Sequence, residues 1–466
     1  MTEQIETARA SSARGEPVEG HARVGGFWRR VAGTAVVAAT AIGQRRVPFL
    51  PRPKLDAIRD RRIRSIVSHA ARTVPYYQEL FARERIDARD IRGAADLDRL
   101  PLLDRDLVRS EPLLFVARTR AGRAAVPFLT SGSTGTPIEI RHDRHSLLAN
   151  IAYGEREREP VNKLCGGAFR PKELYVGYDT STFKKVVAFY ADNTALPVKP
   201  RRRVVSLLEP IDSVVAIVNA ERPDLIVGYG GWLDVFFKSV DARGLDIPKP
   251  RMVMYMGEEM PRGGRQFIEQ RFGIPVMSRY NAVEAFKIGF FCEERTGFHI
   301  HEDLCHVRIH AADGRPAAPG ESGEVVISNL VNRASVLLNY PIGDVAATVL
   351  GPCPCGRTFR QLSELEGRVE DVLALPDGRF IHPRAIWQVF KEYREVLQYQ
   401  LTQREQERYD LTLVTVDEPS FQHALRQALP ELQRLLGPGA RVDARWSREI
   451  DRSTRGKLRT VVRVRS

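Results

Sequence analysis

The chain has 466 residues, 43% of them hydrophobic, and a formal net charge of +13. That length exceeds one ordinary core and calls for two or three folded units. The positive excess is spread through arginines, with no basic stripe interleaved with aromatics, no zinc-finger spacing and no recognition-helix pattern, which excludes a dedicated nucleic-acid binder; the odd count of five cysteines argues against a secreted disulfide framework and for a reducing compartment.

Residues 1–25 are polar, charged and aperiodic, and read as a disordered tail. Val31 to Gly43 is an apolar, Ala- and Gly-rich run between Arg29-Arg30 and Arg45-Arg46. It is too short to span a bilayer, which takes about 20 residues, so a buried or interfacial helix with at most weak membrane-surface contact is expected. From Lys54 to Thr73 the residues Leu55, Ile58, Ile63, Ile66, Val67 and Ala70 recur near a 3.6 period, predicting an amphipathic helix that halts before Pro75. Pro75-Tyr76-Tyr77 opens a second helix through Phe81, and Asp96 to Asp106 reads as a linker closing on a capped turn.

The stretch Thr130-Ser131-Gly132-Ser133-Thr134-Gly135-Thr136-Pro137 sits between the apolar Val126 to Leu129 and the β-like Ile138 to Arg141. Glycines let a hairpin loop turn its amides toward an anion, and hydroxyls add neutral donors, so a phosphate-gripping loop is expected. The Walker spacing is absent. Behind the loop, helices at His145 to Arg158, Ser213 to Ala220, Trp232 to Val240 and Gln266 to Arg271 alternate with strands at Leu174 to Val176, Leu225 to Val227, Met252 to Met256 and Pro275 to Ser278. Such alternation predicts an α/β domain with a largely parallel sheet.

Three stations follow at predicted strand ends: Tyr255-Met256-Gly257-Glu258-Glu259, Ser278-Arg279-Tyr280-Asn281-Ala282-Val283-Glu284, and a Gly-Asp turn in Tyr340-Pro341-Ile342-Gly343-Asp344. An aromatic able to stack on a base, with a carboxylate four residues on that can hold Mg²⁺, suits a nucleotide site. Cys292, His299, Cys353 and Cys355 offer three thiolates and an imidazole for a tetrahedral structural Zn²⁺, with His301 and Cys305 as rival ligands. Val396 to Leu401, Tyr409 to Val416 and Arg441 to Trp446 read as strands around a helix from Gln422 to Leu436, a compact α+β unit.

Thr130 to Pro137, Tyr280 to Glu284, Gly343-Asp344, Gly367-Arg368-Val369-Glu370-Asp371 and Thr454-Arg455-Gly456-Lys457 stand in the order and spacing of the adenylate-forming acyl-CoA synthetase superfamily. With Ala70 to Tyr77 and Leu100 to Leu103, the chain resembles its phenylacetate-CoA ligase-like branch, which includes coenzyme F390 synthetase-like and CapK-like proteins. The resemblance implies a large multi-layered adenylation domain over residues 26–367 and a small mobile α+β lid over 368–466, hinged at Glu370. It implies ATP phosphates held by Thr130, Ser131, Gly132, Ser133, Thr134, Gly135 and Thr136, and a nucleotide lined by Gly257, Glu258, Glu259, Tyr280 and Asn281. Glu284 would hold Mg²⁺, Asp344 and Arg368 the ribose, and Lys457 the charge that develops during adenylation. Tyr229, Gly230 and Trp232 would border the acid pocket, although Tyr229 and Trp232 read equally well as core.

The implied activity is cytoplasmic. A carboxylic acid, aryl by preference, is converted to acyl-AMP and then to a coenzyme A thioester, by a chain free to form a homodimer. The alternatives are transfer to an amine, a substrate left adenylylated, or a catalytically weakened nucleotide-binding homologue. Three departures from the family pattern motivate them: Ile138 and Glu139 follow the loop proline where many members have a lysine, Asn281 stands where glycine is usual, and Val283 where a hydroxyl is usual.

Overall fold

A computed structural model describes residues 25–130, 138–167, 171–177, 182–195, 201–260, 262–311, 313–368, 373–375, 380–381, 383–390, 393, 395–450 and 459–464. Residues Ser131 to Thr136, Glu370 and Lys457 lie outside the described residues, as does all but the last residue of the expected tail.

A twelve-stranded mixed sheet forms the body. Its parallel half runs β4 (Arg201–Ser206), β3 (Lys172–Gly177), β5 (Leu225–Gly228), β6 (Met252–Met256) and β7 (Val276–Tyr280). Beyond β7 every pairing is antiparallel: β8 (Gly289–Phe291), β9 (Phe298–Ile300), β13 (Gln361–Leu362), β12 (Tyr340–Val349), β11 (Ser322–Asn329) and β10 (Cys305–His310), with β14 (Gly367–Arg368) against β12. The expectation of a largely parallel sheet therefore holds for one half alone. No crossover helix separates β7 from β8 or β8 from β9, and connections that short can join only antiparallel neighbours.

Strand β5 is buried along its whole length, as expected for a parallel strand covered on both faces. One face packs on α7 (Ile211–Glu221) and α8 (Gly230–Ala242) through Val214, Val218, Leu233, Phe236, Phe237 and Val240. The other faces a core of Tyr175, Val227, Met252, Met254, Met277 and Tyr280. Of the N-terminal helices, α1 (Gly25–Ala41) rests on α4 (Arg144–Tyr153) and α6 (Thr182–Asn193), α2 (Arg52–Thr73) buries Ile63, Ile66, Val67 and Ala70, and α3 (Pro75–Arg83) adds Tyr77 and Leu80 to the same core. The single helix expected from His145 to Arg158 divides at Gly154 into α4 and α5 (Glu155–Leu164), with the Asp143 carboxylate capping α4 by accepting from Ser146 N–H at 2.9 Å.

Helix α6 and strand β4 were not foreseen; β4 opens on Arg201, Arg202 and Arg203, which suits a charged sheet edge better than an apolar strand pattern. A hairpin of β1 (Val126–Leu129) and β2 (Glu139–His142) stands apart from the large sheet. The third station also differs from expectation: Gly343-Asp344 is not a turn at a strand end but lies within β12, where Gly343 takes φ 86° and the register against β11 shifts.

Toward the C-terminus, β15 (Leu373–Ala374) and β16 (Phe380–Ile381) pair with each other. A separate four-stranded sheet follows, ordered β19 (Arg441–Ser447), β18 (Arg408–Thr415), β17 (Val396–Glu405), β20 (Val461–Arg463). Helix α9 (Glu418–Leu436) closes its core of Leu401, Leu411, Leu413, Phe421, Ala428 and Leu432.

Candidate functional site

The hairpin loop is fastened at its base. Thr130 N–H donates to the Ile138 carbonyl at 2.9 Å, and Thr130 Oγ1 accepts from Ile138 N–H at 3.0 Å. This hydroxyl, expected on a phosphate, thus also closes the loop. Leu129 pairs with Glu139 just outside it. Lys185 of α6, which sequence reasoning missed, donates to the Pro127 carbonyl and sits 5.1 Å from the Phe128 ring centre, a cation beside a hairpin that has no lysine of its own.

The hairpin is joined to the second station through His142. Its Nε2 lies 2.6 Å from the Val283 carbonyl, and its ring packs 4.2 Å from Phe286. A carbonyl can only accept, so the neutral ring carries its proton on Nε2. Burial pushes its pKa down to about 4, which keeps it neutral near pH 7. The departure at Val283 is therefore a place where the backbone serves as an acceptor for the hairpin.

In the second station, Tyr280 is buried at the end of β7 and donates its hydroxyl to Asp344 Oδ2 at 2.7 Å. Two residues expected on the nucleotide, 64 apart in sequence, are thereby brought together. With its amide oriented to donate, Asn281 reaches the carbonyls of Tyr280 at 3.0 Å and Phe286 at 2.8 Å. Phe286 itself takes φ 57°, so the side-chain amide braces a turn containing a left-handed non-glycine residue. Asn329 Nδ2 donates to the Glu284 carbonyl at 2.8 Å, and the buried Glu284 carboxylate lies close enough to Tyr340 that burial and this charge together raise the Tyr340 phenol pKa. Arg105, also missed from sequence, hydrogen-bonds Tyr340, and its Nη1 lies 2.7 Å from where a Cβ on Gly343 would be. Glycine at 343 meets two demands, positive φ and a guanidinium against the backbone.

The first station closes the group. Tyr255 donates to Glu259 Oε1 at 2.8 Å, and burial, with the charges of Glu364 and Asp344 nearby, pushes the Glu259 carboxyl up to about 8. Gly257, at φ 77°, lies under Tyr229: a Cβ there would be 3.2 Å from its ring. Gly230 N–H donates to the Glu258 carbonyl at 3.2 Å, and a Cβ on Gly230 would overlap the Met260 nitrogen. Trp232 is buried in the core behind α8, stacked 5.1 Å from Phe236, while Tyr229 is half-buried. The Arg368 backbone pairs with Asp344 across β12 and β14.

Behind the second station runs a buried ionic layer. Glu157 accepts from Lys287 at 2.6 Å and from His301 Nε2 at 3.1 Å, and pairs with Arg279 at 2.8 Å. Burial alone would raise its pKa; the cations of Lys287 and Arg279 instead hold it well below the usual carboxylate range. Asp303 receives both Arg156 nitrogens at 2.6 and 2.9 Å, which holds it at about 2 against the opposing effect of burial. Glu302 receives Arg52 at 2.7 and 2.6 Å. The only sequence signal for this layer is charge placed among hydrophobics, as with Lys287 between Phe286 and Ile288.

The ligand atoms of Cys292, His299, Cys353 and Cys355 all lie within 4.8 Å of one another. Cys292 and Cys353 sulfurs are 3.7 Å apart, and Cys355 Sγ is 3.3 Å from His299 Nε2. His299 Nδ1 lies 3.3 Å from the Phe359 carbonyl, so its proton belongs on Nδ1 and the Nε2 lone pair faces the sulfurs. Three sulfurs and one so oriented nitrogen fit a tetrahedral soft-metal site. The rivals are placed elsewhere: His301 is on Glu157 and Cys305 lies outside the cluster.

No family model matches the chain. The phenylacetate-coenzyme A ligase of Thermus thermophilus is 26% identical over 448 residues, covering 89% of this chain and 98% of that protein. The phenylacetate-coenzyme A ligase of Escherichia coli is 24% identical, covering 69% and 73%. Among solved structures, 2-hydroxyisobutyryl-CoA ligase in its postadenylation state with R3-HIB-AMP superposes at a TM-score of 0.71, with 16% identity over 90% of this chain and 92% of that one. In sequence, then, this chain is similar to the phenylacetate-coenzyme A ligases along most of its length, and its fold is that of 2-hydroxyisobutyryl-CoA ligase.

Proposed function

We propose that this protein joins a carboxylic acid to coenzyme A at the expense of ATP: the acid attacks the α-phosphorus to give acyl-AMP and pyrophosphate, and the thiolate of coenzyme A then displaces AMP. The observation that carries the reading is the likeness to phenylacetate-coenzyme A ligases over 89% of the chain, joined to the convergence of Gly257 to Glu259, Tyr280 and Asp344, the first and last of these coupled through Glu259.

In this reading the Tyr280 hydroxyl aims the Asp344 carboxylate at a ribose diol, and the fastened base at Thr130 presents the loop amides of Ser131 to Thr136 to the leaving phosphates. Glu284 would hold Mg²⁺, which neutralises phosphate charge during attack. Lys457 would supply a cation as the pentavalent centre forms, borne on a lid of residues 368–466 that turns about Glu370. Tyr229, over Gly257, suits one wall of an aryl-acid pocket. Zn²⁺ held by Cys292, His299, Cys353 and Cys355 would be structural, with all four positions filled by protein. A cytoplasmic setting supplies ATP and coenzyme A.

Pyrophosphate release measured across a panel of aryl and alkyl acids tests the first half, and mass spectrometry of the products with coenzyme A or with amines tests the second. The expected result is acid-dependent pyrophosphate and a thioester that requires coenzyme A. Tight ATP binding without pyrophosphate from any acid overturns the first half; an amide formed without coenzyme A overturns the second.

A further inference from the structure

Helix α1 is apolar on two faces, and one of them is bare. Its inner face is anchored. A Cβ on Gly33 would meet the Asn193 carbonyl at 1.9 Å, Val37 packs with Leu148 and Ala152, Arg30 Nε donates to the Thr194 carbonyl at 2.9 Å, and Thr34 Oγ1 accepts from Ala195 N–H at 2.8 Å. The outer face is thus outward because the helix is docked. It presents Trp28, Val31, Ala32, Ala35, Ala38 and Ala39 at steps of three and four residues, with Ile42 just past its end. Trp28 is 73% exposed, its neighbour Phe27 63% and Ile42 81%. A helix lying on a soluble body ordinarily carries its polar residues there.

Along its own segment of the chain the stripe is flanked by charge of one sign. Between Glu19 and Asp56 the sequence has no acidic residue and seven basic ones, Arg23, Arg29, Arg30, Arg45, Arg46, Arg52 and Lys54. Arg29 stands exposed near one end of the stripe, and beyond the other stand Arg46 and Arg45, whose guanidinium also pairs with Glu155 at 3.0 Å while staying exposed. From Trp28 to Ile42 the rise of about 1.5 Å per residue gives roughly 20 Å, short of the roughly 30 Å hydrocarbon thickness. Among the described residues no helix is long and apolar enough to cross a membrane.

We propose that α1 is an in-plane anchor that seats this protein on an anionic lipid surface, with Trp28, Phe27, Val31 and Ile42 in the headgroup boundary and Arg29, Arg45 and Arg46 against lipid phosphates. A second copy of the chain fits the same face less well. Antiparallel pairing of two stripes sets Arg29 against the partner copy's Arg45 and Arg46, parallel pairing sets like against like, and both juxtapose positive charge. Residues 1–24 offer Met1, Ile5, Val18 and Val24 as their only large apolar side chains, too few to cover the stripe.

The test is co-sedimentation of the full chain with vesicles of phosphatidylcholine, with and without phosphatidylglycerol, at low and high salt. The expected result is binding that requires phosphatidylglycerol, weakens with salt, and falls at least tenfold in the Trp28→Ser/Ile42→Ser double variant, whose pyrophosphate release in solution is unchanged. Because both side chains are exposed, the substitutions leave the core intact. The fluorescence difference between the chain and Trp28→Phe, which isolates one of four tryptophans, is expected to shift to the blue on those vesicles. Equal binding of chain and double variant, or an unshifted Trp28 signal, overturns the proposal. So does self-association that the double variant abolishes without any vesicle binding.

Discussion

Around Tyr280 the large sheet buries Arg156, Glu157, Lys287, His299, His301, Glu302 and Asp303, whereas the C-terminal four-stranded sheet and its helix bury, among the described residues, only the uncharged polar side chains Gln403, Thr412 and Thr415. The C-terminal unit is an ordinary apolar core under an amphipathic helix. The body is built otherwise, and net stability is a poor reason for it, because desolvation offsets much of what a buried ion pair gains. What such a layer does provide is a steep penalty for misplacement. The Arg156–Asp303 and Lys287–Glu157 pairs hold α5 to the loops on either side of β8 and β9, and the first of those loops begins just after Tyr280, whose distance to Asp344 matters. On the proposed function, a unit whose part is to supply the Lys457 cation needs only to fold.

The sharpest way to break that comparison is Lys457→Ala. On the proposed function, acid-dependent pyrophosphate exchange falls by about 10² to 10³, the size typical of losing one group that meets developing charge, while thermal unfolding of both units stays unchanged. Wild-type exchange in this variant removes Lys457 from the chemistry.

Next in size are two stability changes in opposite units. Glu157→Ala leaves the buried Lys287, and the half-buried Arg279 beside it, without their shared carboxylate, and is expected to cost about 3 to 5 kcal/mol in denaturant unfolding together with a loss of ATP affinity. Leu411→Ala, fully buried in the C-terminal core, is expected to cost about 2 to 5 kcal/mol and leave ATP affinity in place. If both variants affect nucleotide binding alike, the two units are not organised differently.

The cysteine cluster sharpens the same contrast. On the proposed function, elemental analysis finds one zinc per chain, and chelation, or Cys353→Ser, is expected to abolish it and to lower amide-exchange protection in β8 and β9 at least tenfold. Protection in β17 and β18 stays as it was, because β9 carries His299 and pairs with β8, which pairs with β7.

A graded effect distinguishes the two by pH. Glu259 has a folded pKa raised to about 8 from 4.5, so the folded state holds a proton that the unfolded state releases. Its contribution is fully present below about 4.5 and is lost as pH rises through about 8. Unfolding free energy of the body is expected to fall by up to about 1.4 kcal/mol per pH unit across that window from this group, and Glu259→Gln to remove that slope, read from denaturant titrations at successive pH values.

What could be read from sequence followed from how local each feature is. The alternation of strands and helices, the C-terminal unit and the Cys/His set are each carried by short patterns, and the last was completed by choosing His299 over its neighbours, as the cluster now has it. In the antiparallel half of the sheet, β8, β9 and β13 were missed because they are two or three residues long, too short to show a period, and β12 because its first eight residues are all buried and leave no alternation to read. The ionic layer was missed because its partners are far apart in sequence, 130 residues from Glu157 to Lys287 and 147 from Arg156 to Asp303. Gly343-Asp344 was assigned to a turn because glycine before aspartate has that signature, although positive φ is equally served by an irregular strand.

The smallest expected effect concerns the hairpin loop, and it divides the loop's base from its tip. Thr130→Val keeps the shape of the side chain but leaves Ile138 N–H without its acceptor, which costs about 1 to 3 kcal/mol if the amide stays dry, and releases a point at which a side chain holds the described base of the loop. Ser131→Ala removes a donor from a loop whose backbone amides remain. The first change should therefore lower both kcat and nucleotide affinity by loosening every amide at once. The second should raise the KM for ATP a few-fold and leave kcat near its starting value, as expected for a contact equally strong in ground and transition states. Steady-state pyrophosphate kinetics separates the two, and a kcat loss from Ser131→Ala as large as that from Thr130→Val would mean that the grip lies in the tip hydroxyl and not in the fastened base.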